Sequence, residues 1–170
     1  MNPLLAQLLE SKRLTADALG RFAQHHDIPL VDGDRVTFLY WGEAERVNLQ
    51  HWIFGLPSSL AFSRVEGRRL WYRDVELPRN SRLEYKIEVV RDERSEWILD
   101  PLNPRQAHDP FGANSVCHGP GYATPEWTRP DPVARQGTLD TILLDSRALE
   151  SPREIPVYLP ARYRKSGRYP

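Results

Sequence analysis

Apolar and polar positions follow two different periods along this chain, and the change between them divides it. Leu4, Leu5, Leu8 and Leu9 recur at helical spacing. After Thr15, an N-cap residue type, Ala18, Leu19 and Phe22 fall on one helical face. The pattern predicts two short amphipathic helices within residues 1–32, closed by Pro29 and the Asp32-Gly33-Asp34 turn. From residue 33 the period is that of strands. Val36 to Trp41 is apolar in both directions, as a strand covered on both faces would be. Val47 and Leu49 alternate with Arg46, Asn48 and Gln50; Leu60 to Val65 follows, and then Trp71, Val75 and Leu77 on alternate positions. The clearest alternation sets Leu83, Tyr85, Ile87 and Val89 against Glu84, Lys86 and Glu88, and Trp97 to Leu99 ends the series. Strands recurring at this spacing predict a β-sandwich over residues 33–120.

Seven prolines lie between residues 101 and 132, with Asp-Pro pairs at Asp100, Asp109 and Asp131. They predict a stiff, extended connection, of which 121–136 is the linker proper. Alternation returns in residues 137–170, at Leu139 to Leu144 and at Ile155, Val157 and Leu159, with Pro156 confining the second run to an edge or a bulge. The fold class expected is mainly β: a sandwich with short N-terminal helices and a C-terminal extension of one or two strands. Two strands are marginal alone, so residues 137–170 are expected to dock on the sandwich or to pair with a second copy in a homo-oligomer.

Composition narrows the function. The 15 prolines in 170 residues are nearly twice the usual share of about 5 % and argue against a helical bundle. Lys plus Arg and Asp plus Glu are each 23, so no net field favours nucleic acid or an anionic membrane surface. No apolar run approaches the roughly 20 residues of a membrane span, and no signal peptide is read in the leucine-rich start. A single cysteine excludes an internal disulfide and suits a reducing compartment, so the expected location is cytoplasmic.

Chemistry is sparse. No serine has glycine at both second neighbours, no phosphate-cradling glycine loop is complete, and no cofactor is implied. His108, Asp109, Cys117 and His118 match no compact zinc spacing, so no metal is expected. Trp41, Trp71 and Trp97 fall in strands and read as core, whereas Trp52 and Trp127 fall in loops, where a flat ring suits the apolar face of a sugar.

Val36-Thr-Phe-Leu-Tyr-Trp-Gly, Val47-Asn-Leu, Leu70-Trp-Tyr-Arg-Asp-Val-Glu-Leu-Pro and Tyr85-Lys-Ile occur in an order that resembles the early-set (E-set), immunoglobulin-like module preceding several hydrolase domains. Asp100-Pro-Leu-Asn-Pro, continuing to Gly112-Ala-Asn-Ser-Val, is similar to the end of that module in the enterochelin (ferric enterobactin) esterase-like family. Arg153-Glu-Ile-Pro-Val-Tyr-Leu-Pro-Ala-Arg-Tyr, with Tyr169-Pro170, resembles the opening strands of that family's esterase domain. The resemblance implies a non-catalytic N-terminal module of a serine esterase, followed at 137–170 by the first strands of an α/β-hydrolase domain that the chain does not complete. The catalytic residues would then lie beyond Pro170, and this chain would catalyse nothing. The implied partners are that C-terminal esterase domain and an ester or siderophore-like substrate of the parent enzyme. Trp52, His108, Asn114, His118 and Trp127 are the candidate contacts, on loops that a rigid scaffold would hold. A glucan-binding module like those before glycogen-branching enzymes is the alternative.

Overall fold

A computed structural model of the chain describes residues 2–11, 14–129, 131–164 and 167. Tyr169 and Pro170, on which part of the resemblance rests, lie outside the described residues, as do Lys12 and Arg13. The chain divides into two compact units, Met1–Ala123 and Thr124–Pro170.

The first unit opens with α1 (Pro3–Glu10) and α2 (Ala16–His25). Asn2 caps α1 by accepting from Leu4 N–H at 2.9 Å, and proline at the first helical position forfeits no bond. Thr15 caps α2 by accepting from Ala18 N–H at 3.2 Å, with Asp17 in the first turn and His25 in the last. Helices this short are marginal by propensity alone. They are held by fully buried Leu5 and Leu19, each worth about 2 kcal/mol in area removed from water.

Two antiparallel sheets follow. One is ordered β1-β2-β6-β5, from β1 (Leu30–Asp32), β2 (Arg35–Trp41), β5 (Ser63–Arg64) and β6 (Leu70–Glu76). The other is ordered β4-β3-β7-β10-β9, from β3 (Arg46–His51), β4 (Ser59–Ala61), β7 (Arg82–Arg91), β9 (Gln106–Asp109) and β10 (Gly112–His118), with β8 (Arg94–Ile98) also paired to β7. Between them lies a core of Val36, Phe38 and Tyr40 from β2, Trp71 and Val75 from β6, Val47 and Leu49 from β3, and Leu83, Tyr85, Ile87 and Val89 from β7. Leu39 and Leu70 turn the other way and pack with Leu5, Leu19, Ile28 and Leu30. The first sheet is therefore covered on both faces, which accounts for the unbroken apolar run of β2.

The structure departs from the sequence reading at three places. Leu60 to Val65 is not one strand: β4 belongs to one sheet and β5 to the other, and the chain crosses at Phe62, whose buried side chain joins the inner core. The stretch expected to be an extended connection contains β9 and β10, since residues 111–119 carry no proline and Val116 and Cys117 are buried. Trp97 is not core. It pairs with Glu88 on the outward parity of β7 and is 51 % exposed.

The second unit contains a 3-10 turn at Glu126–Thr128 and an antiparallel hairpin of β11 (Thr138–Ser146) and β12 (Ser151–Leu159). Pro156 lies opposite Thr141, and β12 pairs with β11 alone.

Candidate functional site

Trp52 directly follows β3 and is 65 % exposed, in a loop whose Phe54 is fully exposed. His108 is exposed on β9. Asn114 is buried on β10, its amide donating to Glu84 Oε2 at 3.1 Å and Asp109 Oδ2 at 3.4 Å, so it ties β10 to its neighbours. His118 ends β10, half-buried, its ring 4.6 Å from that of Tyr122. Burial, then the charges of Arg105 and Arg82, lower its pKa and keep it neutral at pH 7. Trp127 is exposed in the second unit.

Register separates these residues. His51 and Ser115 both lie opposite Tyr85, so Trp52 is one residue beyond that level toward Glu84. The turn at Phe111 is four residues beyond it in the other direction. At about 3.3 Å per residue the two loops are some 17 Å apart along the strands. The tip of the His108–Asn114 turn therefore lies at the other end of the sheet from Trp52, while Asn114 itself reaches back to Glu84, level with Trp52. His118 shares the end of Trp52, two strands across.

What the fold does gather is the outward face of the β3-β7-β8 region, which sequence reading missed because Trp97 was assigned to the core. Glu88 sits at its centre. Its carboxylate accepts from Asn48 Nδ2 at 2.8 Å, Gln50 Nε2 at 2.6 Å and the Ser95 hydroxyl. These bonds, with Ser95 first and the Trp97 indole adding to them, hold its pKa below the usual carboxylate range. Lys86 lies opposite Gln50 on the same face, and the half-exposed Trp97 lies opposite Glu88. The result is a flat plate of fixed amides with one aromatic surface and one cation. The pairing of Trp97 with Glu88, on the polar half of β7, is what turns the ring outward.

A second feature is a groove of about 960 Å³ between the end of α2 and the 99–106 segment, lined by His25, Asp27, Pro101, Asn103 and Arg105. Arg105 crosses it to pair with Asp27. Beneath lies a buried polar network. Tyr85 donates to Asp100 Oδ2 at 2.6 Å, Asn103 donates to the Tyr85 hydroxyl at 3.0 Å and to Val116 O at 2.8 Å, and Asp100 N–H donates to Ser115 Oγ at 2.8 Å. Burial raises the Asp100 carboxyl to about 6 against the bonds from Tyr85 and Leu102 N–H, and lifts the Tyr85 phenol well above 10. The network pins the 99–106 segment over the sheet.

Among the described residues no group of three His, Cys, Asp or Glu side chains is placed to hold a metal ion, and no helix is long and apolar enough to cross a membrane. Cys117 is buried, and burial pushes its thiol up to about 12, so it is no nucleophile at neutral pH.

Among solved structures, the chain is similar to ferric enterobactin esterase from Salmonella typhimurium, at 20 % identity and a TM-score of 0.56 over 72 % of this chain and 40 % of that one. It is also similar to the enterobactin esterase of Shigella flexneri in the presence of enterobactin, at 21 % identity and a TM-score of 0.52 over 71 % of this chain and 38 % of that one. At such identities the likeness is one of fold. The chain spans about 40 % of the length of these esterases. A pullulanase from Bacillus acidopullulyticus matches at 16 % identity and a TM-score of 0.42 over 52 % of this chain and 11 % of that one, too remote to support an argument. No protein-family model and no curated protein matches the sequence.

Proposed function

We propose that residues 33–120 form the non-catalytic N-terminal module of a cytoplasmic serine esterase resembling enterochelin esterase. Residues 121–136 are the linker, and residues 137–170 are the first strands of its α/β-hydrolase domain. The module walls the approach to the active site and shapes the access of an ester or siderophore-like substrate. One observation carries this reading: a part-length fold match to two enterobactin esterases by a chain that resembles that family's module segment by segment. The exposed Trp52 loop supports a role at an entrance, since a tryptophan 65 % exposed beside a fully exposed Phe54 contributes little to the sandwich itself. His108, His118 and Trp127 remain candidate contacts. Asn114 contributes by fixing β10.

Reading about 200 codons past Pro170 tests it, because a Gly-x-Ser-x-Gly elbow followed by an acid and then a histidine is expected there. In the complete enzyme, Trp52→Ala should raise the KM while kcat and the fold persist. Unchanged kinetics would remove Trp52 from the entrance.

The plate around Trp97 favours a second reading, in which the module docks glucan. A half-exposed indole opposite Glu88, whose carboxylate holds Asn48 and Gln50 in place, offers a stacking surface on a face with hydrogen-bonding groups, the combination a sugar ring needs. Retardation of the chain in a glycogen-loaded gel, lost in Trp97→Ala, is the expected result. Equal mobility with and without glycogen would eliminate it.

A further inference from the structure

Three guanidinium groups come from the end of β5 and the turn into β6, and they share one carboxylate. Glu43 Oε1 lies 2.6 Å from Arg69 Nε, and Glu43 Oε2 lies 3.3 Å from Arg64 Nη2. Arg68, half-buried, meets no carboxylate among the described residues. Its Nη2 donates to Leu9 O and to Ser11 O, each at 3.0 Å, which fastens the side chain to the end of α1, while its buried Nη1 has no acceptor. Bonds to neutral carbonyls hold the Arg68 charge in place without cancelling it. A guanidinium drawn partly out of water without a counter-ion is costly, so this corner carries an unmet demand for negative charge.

The space beside these side chains has the size and lining of a small-molecule site. A cavity of about 450 Å³ is walled by Arg68, Arg69, Trp41, Leu14, Thr15 and Ala16. Gly67 completes the wall and leaves it open, with no heavy atom within 4 Å of where a Cβ would stand. No carboxylate lines it. Glu10, Asp17 and Glu66 flank these residues in sequence, but none contributes to the wall. Glu43 takes only the Nε edge of Arg69, whose side chain is 61 % exposed, and both Arg69 Nη groups are left without a protein acceptor. Trp41, half-buried, packs on the Leu5 and Leu19 cluster and gives the cavity an aromatic wall. A ligand that fits must carry more than one negative charge, offer oxygens to a forked donor, and have a flat apolar part for the indole.

We infer that this cavity binds a phosphate monoester whose esterified group is planar and apolar. The phosphate oxygens accept from the Arg69 Nη groups, a fork that suits phosphate. At neutral pH a phosphate monoester carries a charge of about −1.5 to −2, which matches the excess of three guanidinium groups over one carboxylate; a carboxylate ligand would bring only a single charge. The planar group lies against Trp41 and Leu14. The site rests on neither functional reading above, and the loss of esterase or glucan behaviour leaves it intact.

Phenyl phosphate is the probe. In side-chain NMR of the full chain, the Trp41 indole N–H and Arg69 Nε–H signals should shift together and saturate in the millimolar range. Inorganic phosphate, which lacks the ring, and phenyl sulfate, which carries a single charge, should each bind at least about tenfold more weakly, as loss of one such contact implies. Arg69→Gln should remain folded, since the side chain is exposed, and should weaken phenyl phosphate binding by at least about tenfold, the equivalent of one charge-assisted bond. Arg79→Gln, outside the cavity, should bind as the unmodified chain does. The absence of a saturable shift, equal binding of inorganic phosphate or phenyl sulfate, or an equal loss in R79Q and R69Q would overturn the proposal. If the R69Q chain does not fold, the comparison of the three ligands on the unmodified chain decides alone.

Discussion

Removing the Tyr85 hydroxyl should destabilise the first unit, and by more at high pH than at low. The hydroxyl donates to Asp100 Oδ2 at 2.6 Å inside a network closed to solvent. The Asp100 carboxyl titrates at about 6 in the folded chain against 3.8 in its ordinary state. A folded pKa raised in this way means that, between those two values, the native state holds a proton the unfolded chain has released. Stability from this group is thus full below pH 4 and is lost as pH rises through 6, by about 3 kcal/mol in all at 1.36 kcal/mol per pH unit. The Tyr85 bond opposes that loss, because it holds the ionised form. In Tyr85→Phe the carboxylate loses a charge-assisted bond worth about 1.5–3 kcal/mol at pH 8, but at pH 5 the protonated acid loses a neutral one worth about 1. Urea unfolding at both pH values, followed by tryptophan fluorescence in a chain carrying Trp127→Phe so that the signal reports the first unit, measures the difference. The substitution should cost about 1 kcal/mol more at pH 8 than at pH 5. An equal or smaller cost at pH 8 would refute the idea that Asp100 is ionised against its burial by this bond.

Two further outcomes follow from packing. Cys117 should resist iodoacetamide at pH 8 in the folded chain and react at once in urea, since its thiol is buried and pushed up to about 12; alkylation of the native chain at the rate of a free thiol would show that β10 opens readily. Gly119→Ala should lower the urea midpoint by an amount equivalent to about 1–3 kcal/mol, because a Cβ there would meet the Ser81 carbonyl oxygen at 3.0 Å as well as the Ser81 hydroxyl, and the backbone cannot yield. An unchanged midpoint would mean that the close approach of the Gly119 and Ser81 segments is not needed.

Local alternation made much of the sandwich legible. Leu83 to Val89 and Val36 to Trp41 stand in the structure as the pattern implied, because each is long enough for its parity to be unambiguous. Trp97 was misread for a different reason. A strand of five residues has no parity of its own, and only its pairing with Glu88 turns the indole outward. The crossing at Phe62 was likewise invisible, since an apolar residue between two short strands reads the same whether the chain stays in one sheet or changes to the other. Prolines on both sides hid β10, although Val116 and Cys117 were its signal. For the sites, parity held information that went unused. Tyr85 at the centre of an apolar row demands a partner for its hydroxyl, which marks buried polar chemistry from the sequence alone. Asp100 did not, because Asp-Pro pairs usually end turns at the surface.

The hairpin of the second unit bears on the proposed α/β domain. In its register, Ile142, Leu144, Ile155, Val157 and Leu159 share one face, while Leu139, Leu143, Pro156 and Tyr158 share the other. In the first unit β3 and β7 are apolar on one face and polar on the other, whereas β2, in a sheet covered on both faces, is apolar in both directions. Strands apolar on both faces belong to sheets with layers above and below, as the sheet of β2 has here and as the sheet of an α/β domain has. Leu139, Leu143 and Tyr158 are 72 %, 73 % and 65 % exposed within this chain, so the hairpin alone leaves both faces wet. Two strands do not persist in water without cover. The same residues that make the hairpin a poor independent element suit it to a sheet covered on both faces, which is what the proposed esterase domain would supply.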